Sequence, residues 1–309
     1  MTKLEWCKYN APEALKDLPD DELLSLMESS YERFCNDKDR VNTSEFESVE
    51  YNLNDVNNYL DYMVLELTRV FGSSLVFKGG YMLTKLMSNT ARQTTDIDFS
   101  IMSSEIYEDI KIQLTTIAEH FKSIGIVDKY ILKETIKPRM SGGITMYDNT
   151  GRVLLGVDVG WHDVSYGTIN RNIDICSVNS FEVERMLADK ITAILSKKRF
   201  RRPKDLYDLY CISECMNFDA HKVNDYILRR TDGLGAEWEN YPFSTNVLLD
   251  YEKCYNKMSL RSIYKDDTLT RPAFATVMER FSTIVECVKD KTYLRHWDCK
   301  QRCFIIGVH

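Results

Sequence analysis

The spacing of apolar residues predicts helices and strands that alternate in the first half of the chain, followed by a second half dominated by helices. Apolar positions recur at intervals of three and four residues, typical of amphipathic helices, over 18–34, 55–71, 81–87, 105–123, 181–197, 203–216, 220–229 and 271–289. Short apolar or alternating runs, typical of strands, occupy 74–78, 96–101, 126–136, 143–147 and 153–159. Because strands first alternate with helices and then follow one another, we predict an α+β fold with a mixed sheet.

The change of pattern near residue 180 predicts how the chain is organised. We expect an N-terminal helical segment over 1–50, a sheet-bearing core over 51–180 and a helical C-terminal domain over 181–309. The sequence shows no internal repeat that would indicate a solenoid.

Acidic residues punctuate two of the predicted strands. Asp96 and Asp98 alternate with apolar residues, so both side chains leave the same face of a strand about 6 to 7 Å apart. Two such carboxylates suit a hard divalent cation, Mg²⁺ or Mn²⁺, although an isolated pair can also mark a solvated strand face. Asp158 lies in another apolar run, 153–159, and three carboxylates meet if the two strands are neighbours.

Two glycines lie where a strand gives way to a helix. Gly79 and Gly80 expose backbone N–H groups at the positive end of a helix, where a phosphate can approach closely. Glycines at such junctions also serve simple turns, so the pair by itself does not establish phosphate binding.

The second half of the chain offers positive charge next to two further carboxylates. The run 197–204 holds six basic residues in eight positions, which can attract RNA or polyphosphate or can form a solvated loop. Lys190 lies in the preceding helix, either facing a cleft or as an ordinary surface lysine. Asp205 and Asp208 share one helical face, and helix capping explains the first better than the second.

Composition restricts the compartment and the partners. The formal charge of −7 argues against a surface built as a whole for nucleic acid, although a local basic patch remains compatible with it. Nine scattered cysteines without a CxxC pair do not form a disulfide framework. The N-terminal residues lack a signal-peptide pattern, and no apolar run is long enough to span a membrane, so we expect a cytoplasmic protein with no membrane partner.

Four short motifs, in order, give the chain a resemblance to a known family. They are Lys78-Gly79-Gly80-x-x-Leu83, Arg92-x-Thr94-x-Asp96-Ile97-Asp98-Phe99, Leu187-x-Asp189-Lys190-x-x-Ala193 and Lys204-Asp205-Leu206-Tyr207-Asp208-Leu209. Together they resemble the motifs of the AbiEii/AbiGii nucleotidyltransferase-like toxins and cover roughly residues 70 to 215. Lys204 stands where the family usually has arginine, which keeps the charge but loses bidentate geometry.

The resemblance implies a fold and an activity. It implies a polymerase-β-like nucleotidyltransferase core with a mixed sheet, followed by a helical C-terminal half. It also implies a toxin of a toxin–antitoxin system used in phage defence, with a nucleoside triphosphate as substrate and a cognate antitoxin as partner. Some relatives add nucleotides to the 3′ ends of tRNA, so tRNA or another RNA is an expected acceptor.

The resemblance also implies roles for residues. Asp96 and Asp98 would hold the metal, Asp158 would deprotonate or position the attacking hydroxyl, and Lys190 would neutralise the triphosphate. Asp205 and Asp208 would orient Lys190 or hold the nucleotide. The expected nucleotide-binding residues are Lys78, Gly79, Gly80, Arg92, Thr94, Lys204 and Asp208.

Two other functions are compatible with the same residues. An antibiotic-type nucleotidyltransferase would modify a small hydroxylated molecule; the acidic net charge favours a cationic acceptor of this kind, whereas the 197–204 run favours RNA. An inactive nucleotide-binding or interaction protein would be expected to have lost part of its carboxylate set. The set in this sequence is complete.

Overall fold

The computed structural model describes most of the chain, which contains two compact units, Met1–Glu50 and Tyr51–His309. The described residues are 3–10, 18–28, 53–87, 91–92, 94–101, 103–133, 142–160, 164–196, 202–229, 238–258, 271–290 and 295–306. The boundary expected near residue 180 lies inside the second unit.

Among its described residues, the first unit has two short helices, α1 (Lys3–Asn10) and α2 (20–28). Cys7, Leu23 and Met27 are buried together and form its small core. Residues 29–34, the last part of the helix expected over 18–34, lie outside the described part of the chain.

The second unit is built on a seven-stranded mixed sheet with the strand order β3-β4-β5-β2-β1-β7-β6. These strands are β1 (Leu75–Lys78), β2 (Asp96–Ile101), β3 (Lys129–Lys133), β4 (Gly142–Tyr147), β5 (Val153–Gly160), β6 (Thr168–Asn172) and β7 (Ser177–Phe181). The central strand β2 runs parallel to β5 and antiparallel to β1, and β1 runs parallel to β7. The α+β class and the mixed sheet expected from the sequence are therefore confirmed.

Helices cover the sheet and form much of the second half of the unit. They are α3 (Leu53–Phe71), α4 (Gly79–Met87), α5 (Tyr107–Ser123), α6 (Val183–Leu195), α7 (Pro203–Cys215), α8 (Ala220–Leu228), α9 (Thr245–Asn256) and α10 (Phe274–Lys289). The helix α3 packs against β2 and β5 and the helix α5 against β3 and β4, while α6, α7, α8 and α10 pack against one another. The helix α4 links the two groups, because it contacts β1 and β2 on one side and α7 on the other.

Strand β2 shows why the sheet has one buried and one chemical face. Ile97 and Phe99 are fully buried, whereas Asp96 and Asp98, which point the other way, are partly exposed. The alternation of apolar and acidic residues therefore sets which side of the sheet packs on the core.

The second half of the chain is less uniformly helical than its apolar spacing predicts. A separate three-stranded sheet, in the order β10-β9-β8, joins β8 (Phe218–Asp219), β9 (Arg295–Asp298) and β10 (Cys303–Ile306). Its strands have two to four residues, too few to produce a recognisable alternation. The stacked rings of Phe218 and Trp297 hold this sheet together. Among the helices that the structure describes, none is long and apolar enough to cross a membrane.

Candidate active site

Three carboxylates lie on one face of the sheet at its central strands. In the parallel pair of β2 and β5, Asp98 is opposite Asp158 and Asp96 is opposite Gly156. Asp96 and Asp98 share that face because they are two residues apart in an extended strand. The condition set by the sequence, that the Asp158 strand lies beside the Asp96 strand, is met.

Bare backbone lies directly beneath two of these carboxylates. A Cβ atom added to Gly79 would lie 2.1 Å from Oδ2 of Asp98, and one added to Gly156 would lie 2.4 Å from Oδ1 of Asp96. Gly79 also has a φ of +70°, a conformation that favours glycine. The glycines therefore make room for the carboxylates, a role beyond the phosphate turn expected from the sequence.

The helix α4 begins at this point. Gly79 and Gly80 form its first turn, directly after Lys78 at the end of β1, and Lys78 pairs with Asp98 in the sheet register. The first N–H groups of a helix have no acceptor within the helix and favour an anion. The structure thus brings a helix N-terminus, a lysine and the carboxylates to one place.

Keeping Asp98 ionised in this site costs free energy. Burial raises the pKa of Asp98, and the nearby carboxylates of Asp158 and Asp96 raise it further, while Lys78 and Lys204 act in the opposite direction. The net pKa lies above the ordinary value, because burial and like charges together outweigh the two lysines. A divalent cation would supply the positive charge that this pair of aspartates lacks.

The donor set of Asp96 and Asp98 fits such a cation, because carboxylate oxygens are the preferred ligands of Mg²⁺ and Mn²⁺. Asp158 is turned toward a lysine, Lys133, whose Nζ lies 2.5 Å from its Oδ1. Within the described ranges, no three Asp, Glu, His or Cys side chains converge closely enough to hold a metal ion. The arrangement therefore offers two carboxylates to a metal and engages the third elsewhere.

A buried ionic cluster lies beside the carboxylates. The Nζ of Lys190 lies 2.7 Å from Oδ1 of Asp205 and 2.7 Å from Oδ2 of Asp208. The guanidinium of Arg92 donates to both oxygens of Asp208, at 2.8 and 3.2 Å, and Arg202 donates to Asp205. The cluster joins α6 and α7 of the second half to the segment that leads into β2.

Charge pairing dominates the titration of this cluster. Burial alone would raise the pKa of Asp205 and of Asp208, but the cations beside them hold both pKa values below the ordinary range. Burial alone would also lower the pKa of Lys190, but the two carboxylates raise it above its usual value. All three groups are therefore charged at neutral pH.

These contacts locate the residues predicted from the second half of the chain. Lys190 is 8% exposed, which excludes the alternative of an ordinary surface lysine. Its ammonium lies between Asp205 and Asp208, one of the two roles that the resemblance implies for those aspartates. The charge of Asp96 raises the pKa of Arg92, which shows that the cluster borders the carboxylate face.

The remaining predicted residues lie nearby but differ in exposure. Thr94 is buried, and its hydroxyl accepts from the N–H of Asp96 at 3.2 Å, which fixes the start of β2. Lys204 is exposed at the start of α7, and its charge acts on Asp98. Most of the basic run, residues 197–201, lies outside the described part of the chain.

One residue of this face was missed by the sequence reasoning. Lys133, on the edge strand β3, contacts Asp158 across the intervening strand β4. The contact depends on the registers of three strands, so no local pattern in the sequence points to Lys133.

Among the comparisons with known proteins, a family model gives a match over most of the chain. The family model described as nucleotidyl transferase AbiEii toxin, type IV TA system, matches residues 66–280, more than half of the chain. Among curated protein sequences none matches significantly. The solved structures that resemble the chain do so at low overall similarity.

Three of those structures show how far the similarity extends. JHP933 from Helicobacter pylori is 14% identical with a TM-score of 0.40, covering 79% of this chain and 100% of its own. An antigenic nucleotidyltransferase-like protein from Paracoccidioides brasiliensis is 16% identical with a TM-score of 0.35, covering 52% of this chain and 76% of its own. The Megavirus polyadenylate synthase is 16% identical with a TM-score of 0.37, covering 62% of this chain and 37% of its own.

Proposed function

The chain belongs to the AbiEii family of nucleotidyltransferase toxins of type IV toxin–antitoxin systems, and we propose that it transfers a nucleotide to an RNA hydroxyl in a metal-dependent reaction. The family accounts for the transferase activity and the toxin role. The metal dependence, the RNA acceptor and the residue roles are proposed here. A part in phage defence and control by a cognate antitoxin are proposed as well.

The observation that carries the proposal is the single face shared by Asp96, Asp98 and Asp158 beside the N-terminus of α4. A nucleoside triphosphate carries up to four negative charges. A site that binds it therefore needs cations and N–H groups to offset this charge. Lys78 and the first turn of α4 supply fixed positive charge there.

The metal, Mg²⁺ or Mn²⁺, would be held by Asp96 and Asp98. When bound it neutralises charge on the triphosphate and activates the α-phosphate toward attack. The raised pKa of Asp98 supports this assignment, because a carboxylate that is costly without a cation gains most from one.

The protein residues then act around the reacting atoms. The acceptor hydroxyl oxygen forms a bond to the α-phosphorus, and the bond from that phosphorus to the oxygen bridging to the β-phosphate breaks. Pyrophosphate leaves with the electron pair of the broken bond, and Asp158 accepts the hydroxyl proton. Positioning and charge stabilisation, as in other transfers at phosphorus, supply most of the rate.

The ionic cluster sets the shape of the site. Lys190, held by Asp205 and Asp208, keeps a positive charge beside Arg92 at the border of the carboxylate face. The electrostatic field of this ammonium favours binding of the triphosphate without direct contact between the two. Lys204, which is exposed, is the basic residue of this region best placed to contact the nucleotide directly.

The RNA acceptor is favoured over a small molecule by the basic run 197–204, of which the described members are Arg202 and Lys204. Both lie at the start of α7, near Asp98, because their charges interact with it. RNA that entered past this run would carry its phosphates over positive charge and present its end to the carboxylates.

The test is incubation of the purified protein with each of the four labelled nucleoside triphosphates, Mg²⁺ or Mn²⁺ and total RNA, followed by separation of RNA from small molecules. We expect label in RNA, concentrated in the tRNA fraction, and none after chelation of the metal. Label only in small molecules would favour the antibiotic-type reaction, and no label under any condition would leave the inactive binding protein.

A further inference from the structure

The geometry points to Lys133 as a positioning residue for Asp158, and we propose that it fixes the Oδ1 atom of that carboxylate so that Oδ2 accepts the proton of the acceptor hydroxyl. The inference rests on the proposed function of the site. Lys133 lies outside the four sequence motifs, on the edge strand β3, and the reaction outlined above gives it no role.

The sheet register places Lys133 and Asp158 in one row. Lys133 is opposite Gly143 in the β3–β4 pair, and Gly143 is opposite Asp158 in the β4–β5 pair. Two strand spacings, about 9 to 10 Å, separate the outer two backbones. The lysine and aspartate side chains together bridge this distance, and the Nζ of Lys133 lies 2.5 Å from Oδ1 of Asp158.

Gly143 is constrained to remain glycine. Its φ of +137° favours glycine, and an added Cβ atom would lie 1.8 Å from the carbonyl oxygen of Val157. The position between Lys133 and Asp158 in this row therefore stays without a side chain.

The backbone of Lys133 is held from the opposite face. The hydroxyl of Tyr107 donates to the carbonyl oxygen of Lys133 at 3.1 Å. A Cβ atom on Gly142 would lie 1.8 Å from that hydroxyl, so Gly142 makes room for Tyr107. Gly142 thus permits the hydrogen bond that holds the backbone of Lys133.

Stability does not explain this arrangement. The side chains of Lys133 and Asp158 are 30% and 46% exposed, and exposed ion pairs contribute little to folding. What the contact does is keep Asp158 apart from the two carboxylates proposed to hold the metal. Asp158 is then available to the acceptor, and the carboxylate set is divided into a metal pair and a proton acceptor.

The test compares Lys133→Ala, Lys133→Arg, Asp158→Ala and the double variant Lys133→Ala/Asp158→Ala. We expect Lys133→Ala to lower kcat by about 10-fold to 100-fold, as for other residues that orient a reacting ligand, with KM for the nucleoside triphosphate nearly unchanged. Lys133→Arg should recover most of the loss. The double variant should be no slower than Asp158→Ala, because Lys133 acts through Asp158.

The matched control is Lys129→Ala, on the same strand. Its ammonium lies over the ring of Tyr147, with 5.2 Å to the ring centroid, and its side chain is exposed. This variant should retain the kcat of the wild type, and melting temperatures of all variants should verify that they fold.

A binding measurement tests the contact without turnover. In titrations followed by electron paramagnetic resonance, Lys133→Ala should bind Mn²⁺ several-fold more tightly than the wild type, because Asp158 is released to join the metal pair. Adding Asp158→Ala should abolish that gain. A failure of the proposed function would appear as a wild type that transfers no nucleotide, and this binding result would still decide the role of Lys133.

Four results would overturn the inference. They are an affinity of Lys133→Ala for Mn²⁺ equal to that of the wild type, a kcat of Lys133→Ala equal to that of the wild type, losses that add in the double variant, and a rise in KM instead of a fall in kcat. The last two would indicate that Lys133 acts on the substrates independently of Asp158.

Discussion

On the carboxylate face, Asp98 is the aspartate whose pKa is raised by burial and by neighbouring carboxylates, against the effect of two lysines. It contacts the backbone of Gly79, pairs in register with Lys78 and faces Asp158 on the next strand. In the metal-free protein its raised pKa means that keeping it ionised at neutral pH costs folding free energy. A bound cation would explain why a carboxylate occupies this costly position, whereas a contribution to folding stability would not.

We therefore predict that Asp98→Asn abolishes nucleotidyl transfer and leaves the melting temperature of the metal-free protein equal or higher at pH 7. The gain should shrink as the pH falls through the raised pKa of Asp98 toward the ordinary pKa of an aspartate, because the carboxyl group is then protonated and its cost disappears. Thermal unfolding at several pH values, with and without Mg²⁺, measures both effects. An active, folded Asp98→Asn protein would remove Asp98 from the chemistry.

Lys190 poses the opposite case, because its charge is fully compensated. Its ammonium contacts Asp205 and Asp208, and removing it would leave two buried carboxylates short of a partner. We predict that Lys190→Ala lowers the free energy of unfolding by about 3 to 5 kcal/mol, the cost typical of breaking a buried ion pair. Lys190→Arg should recover part of this stability, since it keeps the charge in a different geometry.

The control for Lys190 is Lys204→Ala. Because Lys204 is exposed, its loss should change the free energy of unfolding by no more than about 0.5 kcal/mol while lowering the rate of transfer. Denaturant titration with parallel steady-state kinetics separates the two lysines. Wild-type stability in Lys190→Ala would show that the cluster is not held together by this ammonium.

At the scale of elements, apolar spacing predicts the helices far better than the strands. The helices α3, α5, α6, α7, α8 and α10 agree with the sequence reasoning to within a few residues, because each buries a broad apolar stripe. Strand β6, in contrast, reads Thr-Ile-Asn-Arg-Asn on the sheet edge, and its polar composition gives no alternation to detect. The helix α9, over Thr245–Asn256, was also not predicted.

The residues of the candidate site also differ in how far local sequence predicts them. Asp96 and Asp98 could be predicted because their spacing within one strand is local, and Asp158 could be predicted only on the condition that its strand is a neighbour. The contact of Lys133 with Asp158 depends on the registers of three strands and a separation of 25 residues. No local pattern encodes such a contact.

The junction between β1 and α4 carries an element-scale prediction. Gly79→Ala places a side chain at a φ of +70° and pushes it against the Asp98 carboxylate, so we expect a loss of about 1 to 2 kcal/mol in the free energy of unfolding together with loss of transfer. Gly125→Ala is the matched control, since its φ is +76° and nothing lies within 4 Å of an added Cβ atom.

The two glycine variants share the cost of the backbone conformation, and only Gly79→Ala should lose activity. The difference between their melting temperatures therefore isolates the cost of the clash with Asp98, and the difference between their kcat values isolates the effect of the displaced carboxylate. Equal activity in Gly79→Ala and Gly125→Ala would indicate that the tight packing of Asp98 on the backbone has no catalytic purpose.

For the whole molecule, the net charge of −7 and the basic run 197–204 oppose each other in attracting RNA. An acidic protein repels a polyanion at long range, so binding of RNA must depend on a short stretch of positive charge at close range. The bound phosphates release counterions, which makes the affinity fall as salt rises. The steepness of that fall counts the phosphates that the protein neutralises.

We predict that the triple variant Lys198→Gln/Arg199→Gln/Arg202→Gln binds tRNA more weakly and with a shallower dependence on salt. For single-stranded contacts each lost phosphate interaction reduces the slope of log K against log salt by about 0.7, so three losses reduce it by about 2. The control is Lys122→Gln/Lys129→Gln/Lys257→Gln, which removes the same charge from exposed positions outside the run. Fluorescence titrations with tRNA from 50 to 300 mM salt give both slopes. If the two triple variants change the slope equally, the run has no special role and only net charge matters; if neither changes it, the acceptor binds elsewhere and a small hydroxylated acceptor becomes the better explanation.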